Sequence, residues 1–335
     1  MFLAVERFVD DLQNGPSRGL RFDQGAAVAI IKFFRDLAFP SKPPVGYEQF
    51  VLANLFGWKK ADGYRRFQTA YIEIGKGNRK TPLASGVGLY GITGDEEPSS
   101  EVYLVAPTKE QSAIGFKDAA LMVDASPELR KLVKKYGCSN RYTSGNLSCG
   151  ASFMRPIAAD RDNLDGPRPH IVIVDELHEH KDSQIVDKLV AGFKHRRQPL
   201  VFEITNSGHD RETICWQHHE YTRQILEKIF TNDSWFGFIC HLDVCDDCRS
   251  RGKDQPNCDN CDNWLDESVW VKANPGLDAI LPRDYLHKQV KAALEMPSSR
   301  NLIQRLNFCI WTQSVEHFIS PEAWRACAWE EAVPV

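Results

Sequence analysis

Between about residues 67 and 205 the chain alternates short apolar runs with longer segments of helical periodicity, and this alternation restricts the fold more than any other feature. The apolar runs are FQTAYIEI, EVYLVAP, SFMRPIA, HIVIVDE and PLVFEIT. Between them lie TPLASGVGLYGI, TKEQSAIGFKDAALMV, SPELRKLVKKYG and SQIVDKLVAGFKHR. A strand buried on both faces reads as a continuous apolar run, and parallel strands need a crossover, usually a helix. The pattern therefore predicts an α/β fold, a mostly parallel central sheet flanked by helices. Upstream, AVERFVDDLQ and AAVAIIKFFRDLAF carry apolar residues at helical spacing before the prolines of FPSKPPVG, which predicts an N-terminal helical extension over residues 1–45. After FEITNSGHD the composition turns richer in Cys, Trp and Asp, and ETICWQHHEYTRQILEKIF and RDYLHKQVKAALEM read as helices. A boundary near residue 212 is expected, with a core over 46–212 and a smaller helix-rich lid subdomain over 213–335.

Charge and composition narrow the function classes. The 335 residues suffice for one large or two modest domains, and 42% hydrophobic with 26% charged residues is ordinary for a globular protein. No run approaches the roughly 18 apolar residues of a spanning helix, and the acids of MFLAVERFVDDLQNG do not suit a secretory signal, so no membrane partner and an intracellular location are expected. With 41 Lys and Arg against 45 Asp and Glu, the net charge of −4 carries no global nucleic-acid signature, and any such contact must be local. Basic clusters at Lys59, Lys60, Arg65 and Arg66, at Arg130 to Lys135 and at Lys194 to Arg197 read as solvated faces.

The segment YIEIGKGNRKTPLAS, Tyr71 to Ser85, reads as a strand, a glycine-bearing basic turn and a helix. A phosphate-binding loop needs backbone N–H groups wrapped around the anion, a lysine for the terminal phosphates, a hydroxyl for magnesium and a helix N-terminus behind it. Gly75, Lys76, Gly77, Asn78, Arg79, Lys80 and Thr81 supply most of this, with Lys80 and Thr81 as the lysine–hydroxyl pair. Two departures from GxxxxGK[ST] stand out: Arg79 replaces the last glycine, and Gly75 lies five residues before Lys80 rather than six. The same letters also suit a basic turn that binds nothing. Downstream, PHIVIVDE ends a continuous apolar run in Asp175 and Glu176. At the C-terminal end of a parallel strand, Asp175 is placed to hold magnesium and Glu176 to polarise an attacking water. ELHEH does not contain HExxH, so His178 is read as a structural or signalling neighbour of the acids rather than a zinc ligand.

Four of the ten cysteines form two CxxC pairs, Cys245/Cys248 and Cys258/Cys261, separated by nine residues. Two such turns offer four thiolates to one tetrahedral zinc, with no position left for a catalytic water. A structural zinc is therefore predicted within an insertion over 240–263. Arg249, Arg251 and Lys253 at its tip mildly favour a DNA contact, and the flanking aspartates oppose one.

Taken in order, LANLFGWKKADGYRRFQTAYIEIGKGNRKT, RPHIVIVDELHEHKD, FEITNSG, WVKANPG and NFCIWTQSVEHFISPEAW are similar to the ATPase domain of tailed-phage terminase large subunits, over most of the chain beyond residue 45. The resemblance implies a P-loop ATPase of the ASCE type that uses ATP and magnesium to translocate double-stranded DNA into a procapsid, in the cytoplasm of a bacterial host. It implies partners as well: the portal protein, the small terminase subunit and further copies of the chain in a ring on the portal. Lys76 matches the early basic residue of the deviant loop, Gln49 of VGYEQF the adenine contact, Asp175 and Glu176 the magnesium-associated and catalytic acids. Thr205, Asn206 and Ser207 match the motif coupling γ-phosphate loss to DNA grip, where the family more often has a smaller residue than Asn206. Arg155 and Arg161 stand as alternatives for an arginine finger acting on a neighbouring subunit. The family also carries a ribonuclease H-like nuclease domain, which the resemblance places after FISPEAWRACAW, so DNA cleavage is expected of a longer parent and not of these residues. A helicase of the DExD/H type, from Asp175-Glu176-Leu177-His178, and a non-hydrolysing zinc-containing nucleic-acid binder are the alternatives; the helicase lacks room for a second domain with its own arginine motif.

Overall fold

A computed structural model describes residues 1–37, 43–139, 142, 144–158, 166–180, 182–251 and 258–312. A small antiparallel ribbon pairs β1 (Arg21–Phe22) with β2 (Trp58–Lys59). Among the described residues the main sheet has eight strands: β3 (Thr69–Glu73), β4 (Glu101–Ala106), β5 (Lys134–Tyr136), β6 (Asn146–Cys149), β7 (Ser152–Ala158), β8 (Ile171–Asp175), β9 (Leu200–Thr205) and β10 (Trp235–Ile239). Their order is β10-β3-β9-β8-β4-β7-β6-β5; the first six run parallel and the β5–β6–β7 end is antiparallel.

Among the described residues twelve α-helices accompany them: α1 (Phe2–Asn14), α2 (Gln24–Asp36), α3 (Gly46–Gly57), α4 (Lys80–Thr93), α5 (Lys109–Ala125), α6 (Pro127–Leu132), α7 (Gln184–Val190), α8 (Ile214–Leu226), α9 (Asp246–Ser250), α10 (Trp270–Ala273), α11 (Arg283–Glu295) and α12 (Arg300–Phe308). The pleat of β8 divides the interior. Ile171 and Ile173 join a core with Val87 of α4 and Phe116 of α5, whereas Val172 and Val174 join a second core with Ile185 and Leu189 of α7 and Ile214 of α8. Covering both faces is what made the strands read as continuous apolar runs. A third core, built on Leu242, Trp264, Trp270, Leu286, Ile303 and Phe308, holds α10, α11 and α12 together as a helical subdomain.

Several expectations change. Residues 1–37 are not a separate extension, because Ala4, Leu20 and Ile30 belong to the main core. The sheet does not close at residue 212: α8 carries the chain across to β10, an apolar edge strand paired in parallel with β3. SPELRKLVKKYG is helical only to Leu132, after which Lys134–Tyr136 becomes a strand because the hairpin partner Asn146–Cys149 supplies its ladder.

Arg65 and Arg66, read as part of a solvated face, are both buried to 1% exposure. Arg66 reaches Asp11 at 2.7 Å and Asp233 at 2.7 Å with its guanidinium over the Phe67 ring, and Arg65 Nη2 lies 2.8 Å from Asp95 Oδ2. Charges can sit inside only when paired in this way. Asp95 also accepts from His170 Nε2 at 2.6 Å.

Burial pushes Asp95 up, but Arg65 and the His170 hydrogen bond outweigh it and leave its pKa below the ordinary 3.8. Burial holds His170 below 6.5. Asp95→Ala would strand Arg65, whose Nε and Nη1 already have no hydrogen-bond partner, and is expected to cost about 3–5 kcal/mol, read as a shift in urea midpoint at unchanged slope. Both pKa values are lower in the folded state, so the unfolded chain binds more protons on acidification. The contribution of this pair to the urea midpoint, read as the difference between wild type and Asp95→Ala across pH, should therefore hold above 6.5 and shrink as pH drops through the lowered His170 value and then that of Asp95.

Candidate nucleotide site

The loop after β3 and the N-terminus of α4 form one turn. Gly77 (φ 89°) and Arg79 (φ 58°) both take left-handed backbone, which curls successive N–H groups toward a common point at the helix start. Position 79 thus has the conformation that glycine adopts freely and that costs a side-chain-bearing residue about 1–2 kcal/mol. The arginine is accommodated because its guanidinium is drawn off to α3, where Nη2 donates to Glu48 Oε2 at 2.5 Å. It therefore leans toward α3.

The first half of the loop is braced from outside. Gly75 N–H donates to Ala273 O (3.0 Å) and Lys76 N–H to Leu306 O (2.7 Å), both in the helical subdomain. Asn78, fully buried, donates through Nδ2 to Gly75 O (2.8 Å) and Asn274 Oδ1 (2.9 Å), and its Oδ1 accepts from Gly276 N–H (3.0 Å). A Cβ at position 75 would collide with Asn274, so the glycine here serves the close approach of the subdomain. Asn274, in WVKANPG, had no role assigned from sequence; only the ordered motif pointed to it.

The lysine, hydroxyl and acids converge at the strand ends. Thr81 Oγ1 donates to Asp175 Oδ2 at 3.0 Å, while Asp175 Oδ1 is buried with no partner. Burial, reinforced by the adjacent Glu176, pushes the Asp175 pKa up to about 7, against the Thr81 bond and the Lys80 charge. A hydroxyl and a carboxylate with an unused oxygen suit a hard cation such as magnesium. Lys80 Nζ is held by Ile74 O (3.0 Å) and Asn206 Oδ1 (2.9 Å). β9 stands between β3 and β8, which puts Thr205, Asn206 and Ser207 between the loop and the acids. Asn206 Nδ2 also donates to Ile74 O (3.1 Å) and Leu306 O (2.8 Å), and Ser207 Oγ to Arg305 O (3.1 Å). The larger side chain at 206 thereby touches the lysine, the loop and the helical subdomain at once.

The remaining expected residues are less converged. Lys76 is exposed on the loop. Gln49 lies in the first turn of α3 and donates to Pro44 O at 2.7 Å, while its neighbours Tyr47 and Glu48 bond Asn78 and Arg79 of the loop. Arg155 sits within β7, its guanidinium 5.1 Å from the Tyr103 ring centroid and 5.2 Å from that of Phe153, with Nη2 3.4 Å from Tyr103 OH. Arg161 and Lys253 lie outside the described residues.

Cys245, Cys248, Cys258 and Cys261 converge as expected from their spacing, all four sulfurs lying within 4.8 Å of one another. Sγ separations of 3.6 Å (Cys245–Cys258), 3.4 Å (Cys248–Cys258) and 3.7 Å (Cys258–Cys261) are close to the edge of a tetrahedron with metal–sulfur bonds of about 2.3 Å. The four are free thiols, so the cluster could bind a metal. Lys272 of α10 ties this region to the subdomain, reaching Asp243 at 2.7 Å and Asp262 at 2.8 Å.

Residues 46–224 match the family model of the terminase large subunit, ATPase domain, and residues 255–332 that of the terminase large subunit, endonuclease domain. The endonuclease match lies within the stretch expected to be a lid and corrects the expectation that the nuclease begins only after the last residue; its described part, 258–312, carries α10, α11 and α12. Among the described residues, the four cysteines are the only group of three or more His, Cys, Asp or Glu placed to hold a metal.

Among curated proteins, Protein YmfN of Escherichia coli (strain K12) is 28% identical over 163 residues, 49% of this chain and 32% of that protein. The large terminase subunit of Enterobacteria phage HK97 is 25% identical over 263 residues, 77% of this chain and 47% of that one. The chain thus spans a third to a half of the length of these relatives. The crystal structure of the HK97 large terminase superposes with a TM-score of 0.67 at 19% identity, covering 90% of this chain and 58% of that one. The large terminase ATPase domain of Thermus phage P74-26 does so with 0.53 at 14% identity, covering 84% and 98%. These structural likenesses establish the P-loop ATPase fold, with an eight-stranded mixed sheet between helices. Because the ATPase-domain model spans more than half of its length, the chain belongs to the terminase large subunit family.

Proposed function

We propose that this chain is an ATP-hydrolysing motor that translocates double-stranded DNA into a procapsid. The observation carrying this reading is the 3.0 Å bond between Thr81 and Asp175, which joins the loop after β3 to the acids after β8 around an unused carboxylate oxygen. We place the motor core over residues 1–240 and the lid over the helical subdomain that follows. The working assembly in this reading is a ring on the portal protein, supplied with DNA by the small terminase subunit, in the cytoplasm of a bacterial host.

Magnesium, held by Thr81 and Asp175, would neutralise charge on the β- and γ-phosphates. The loop N–H groups from Gly77 to Thr81 bind the phosphates, and Lys76 and Lys80 offset their charge. Gln49 contacts the adenine. The Glu176 carboxylate orients the attacking water and accepts its proton. Lys80 must leave Asn206 to reach a phosphate, which frees an amide that also holds Leu306 of the lid. Thr205, Asn206 and Ser207 thereby convert phosphate occupancy into lid position. Arg155 or Arg161 would supply the finger in trans; the stacking of Arg155 on Tyr103 and Phe153 favours Arg161.

We assign one zinc ion to Cys245, Cys248, Cys258 and Cys261. With four sulfur ligands it is structural, stapling a polar segment whose own apolar cluster is small, and through Lys272 it braces α10 and hence Asn274. At its tip Arg251 pairs with Asp247 at 3.0 Å, which weakens the case for a DNA contact there.

With the full chain at concentrations that permit assembly, Lys80→Ala and Glu176→Gln are each expected to lower ATP turnover by about 10²–10⁴-fold, the glutamine variant while still binding ATP. Equal background hydrolysis in wild type and both variants would remove the motor assignment of these residues. Metal analysis should return close to one zinc per chain, and chelation should lower the thermal midpoint; a metal-free preparation with an unchanged midpoint would rule out the structural zinc.

A further inference from the structure

We infer that His178 is the positioning residue for the Glu176 carboxylate, switching one ring N–H between that carboxylate and the hydroxyl of Thr205. The inference rests on the reading of Glu176 as the water-orienting acid. Glu176 has left-handed backbone (φ 51°), and the 3-10 turn Leu177–Glu179 then returns His178 to the end of β9. There the backbone N–H of His178 donates to Thr205 Oγ1 at 3.0 Å, and ring Nδ1 lies 3.1 Å from the same oxygen. Glu176 Oε2 is buried without a hydrogen bond and stands 3.3 Å from that Nδ1. On the far side of the ring, Nε2 faces Glu179 Oε1 at 3.1 Å, and the imidazole is only 4% exposed.

The hydrogen-bond network assigns the tautomer. Thr205 has one hydroxyl hydrogen, and it is directed at Asn206 O, 2.7 Å away. Toward His178 the hydroxyl oxygen is therefore an acceptor, and Nδ1 carries the proton. A hydrogen on Nε2 as well would give Glu179 Oε1 a donor and leaves the assignment at Nδ1 unchanged. One N–H thus has two acceptors within reach, and in this structure the better geometry goes to Thr205. Thr205 adjoins Asn206, which holds Lys80 at 2.9 Å. A small shift of the Thr205–Ser207 segment when Lys80 moves to a phosphate releases the N–H to Glu176, so the carboxylate is oriented only when the loop is filled.

The test uses the full chain with ATP and magnesium. His178→Ala is expected to lower kcat by roughly 10–100-fold, the scale of a misplaced catalytic group, with KM for ATP little changed. His178→Asn, whose Nδ2 hydrogens take the place of Nδ1–H, should recover most of the turnover. Nitrogen-detected NMR of the histidine rings without nucleotide should show His178 protonated at Nδ1, with its resonance moving in Glu176→Gln, while the thermal midpoint of His178→Asn stays at the wild-type value. An unprotonated Nδ1 overturns the inference. So does an equal loss in the Ala and Asn variants accompanied by lower midpoints, which would make His178 merely structural. If His178→Ala turns over normally while Glu176→Gln is inactive, the inference fails alone; if Glu176→Gln also turns over normally, the reading of Glu176 fails with it.

Discussion

An amide side chain shut away from water must spend its donors and acceptor on protein, and Asn78 does so on two bodies at once. Through Gly75 it fixes the shape of its own loop, and through Asn274 and Gly276 it fixes the position of the helical subdomain. Neither arrangement survives without the other, since a lost partner leaves a buried polar group unsatisfied. Gly75 and Lys76 add backbone bonds to Ala273 and Leu306, so the loop after β3 is shaped as much by α10 and α12 as by the strand it follows. The helical subdomain is therefore the outer wall of the loop.

A second polar layer lies beneath the loop. Glu73, the last residue of β3, is fully buried and takes hydrogen bonds from Tyr71 OH (2.7 Å), His219 Nδ1 (2.7 Å) and Trp311 Nε1 (3.2 Å). Burial would raise its pKa, but His219 and the Tyr71 bond hold it below the ordinary value. Trp311 follows α12, so the chain leaving the helical subdomain is tied back to β3, the strand that precedes the loop. Thr205, His178 and Glu176 continue the same buried line toward the acids. Such networks are favourable only when their members are satisfied together, which gives this interior few stable arrangements.

Much of this was legible in the chain. HIVIVDE is apolar on both faces because α4 and α5 cover one side of β8 and α7 and α8 the other. The convergence of the four cysteines followed from two CxxC turns and a short link. Thr81 and Asp175, at the ends of elements far apart in the chain, lie 3.0 Å from each other. What escaped was decided by partners remote in sequence. Arg65 and Arg66 look like surface charges until Asp95, Asp11 and Asp233 are brought to them. KKYG completes a helical pattern until Asn146–Cys149 offers it a ladder. WFGFI reads as the start of a new domain until α8 returns it to the edge of β3.

The sequence by itself determined the alternation of strands and helices between β3 and β9 apart from the β5–β6 hairpin, the loop and acids at their strand ends, and the cysteine cluster, because periodicity and short-range spacing encode these locally. Only the tertiary structure decided how Arg79 could replace a glycine: the backbone at 79 keeps the left-handed turn, and Glu48, on a helix more than one element upstream, draws the guanidinium toward α3. It also decided what Asn206 and His178 touch, because a side chain's hydrogen-bond partners depend on which strand ends the sheet sets side by side, and that order, with β9 between β3 and β8, is not the order of the chain.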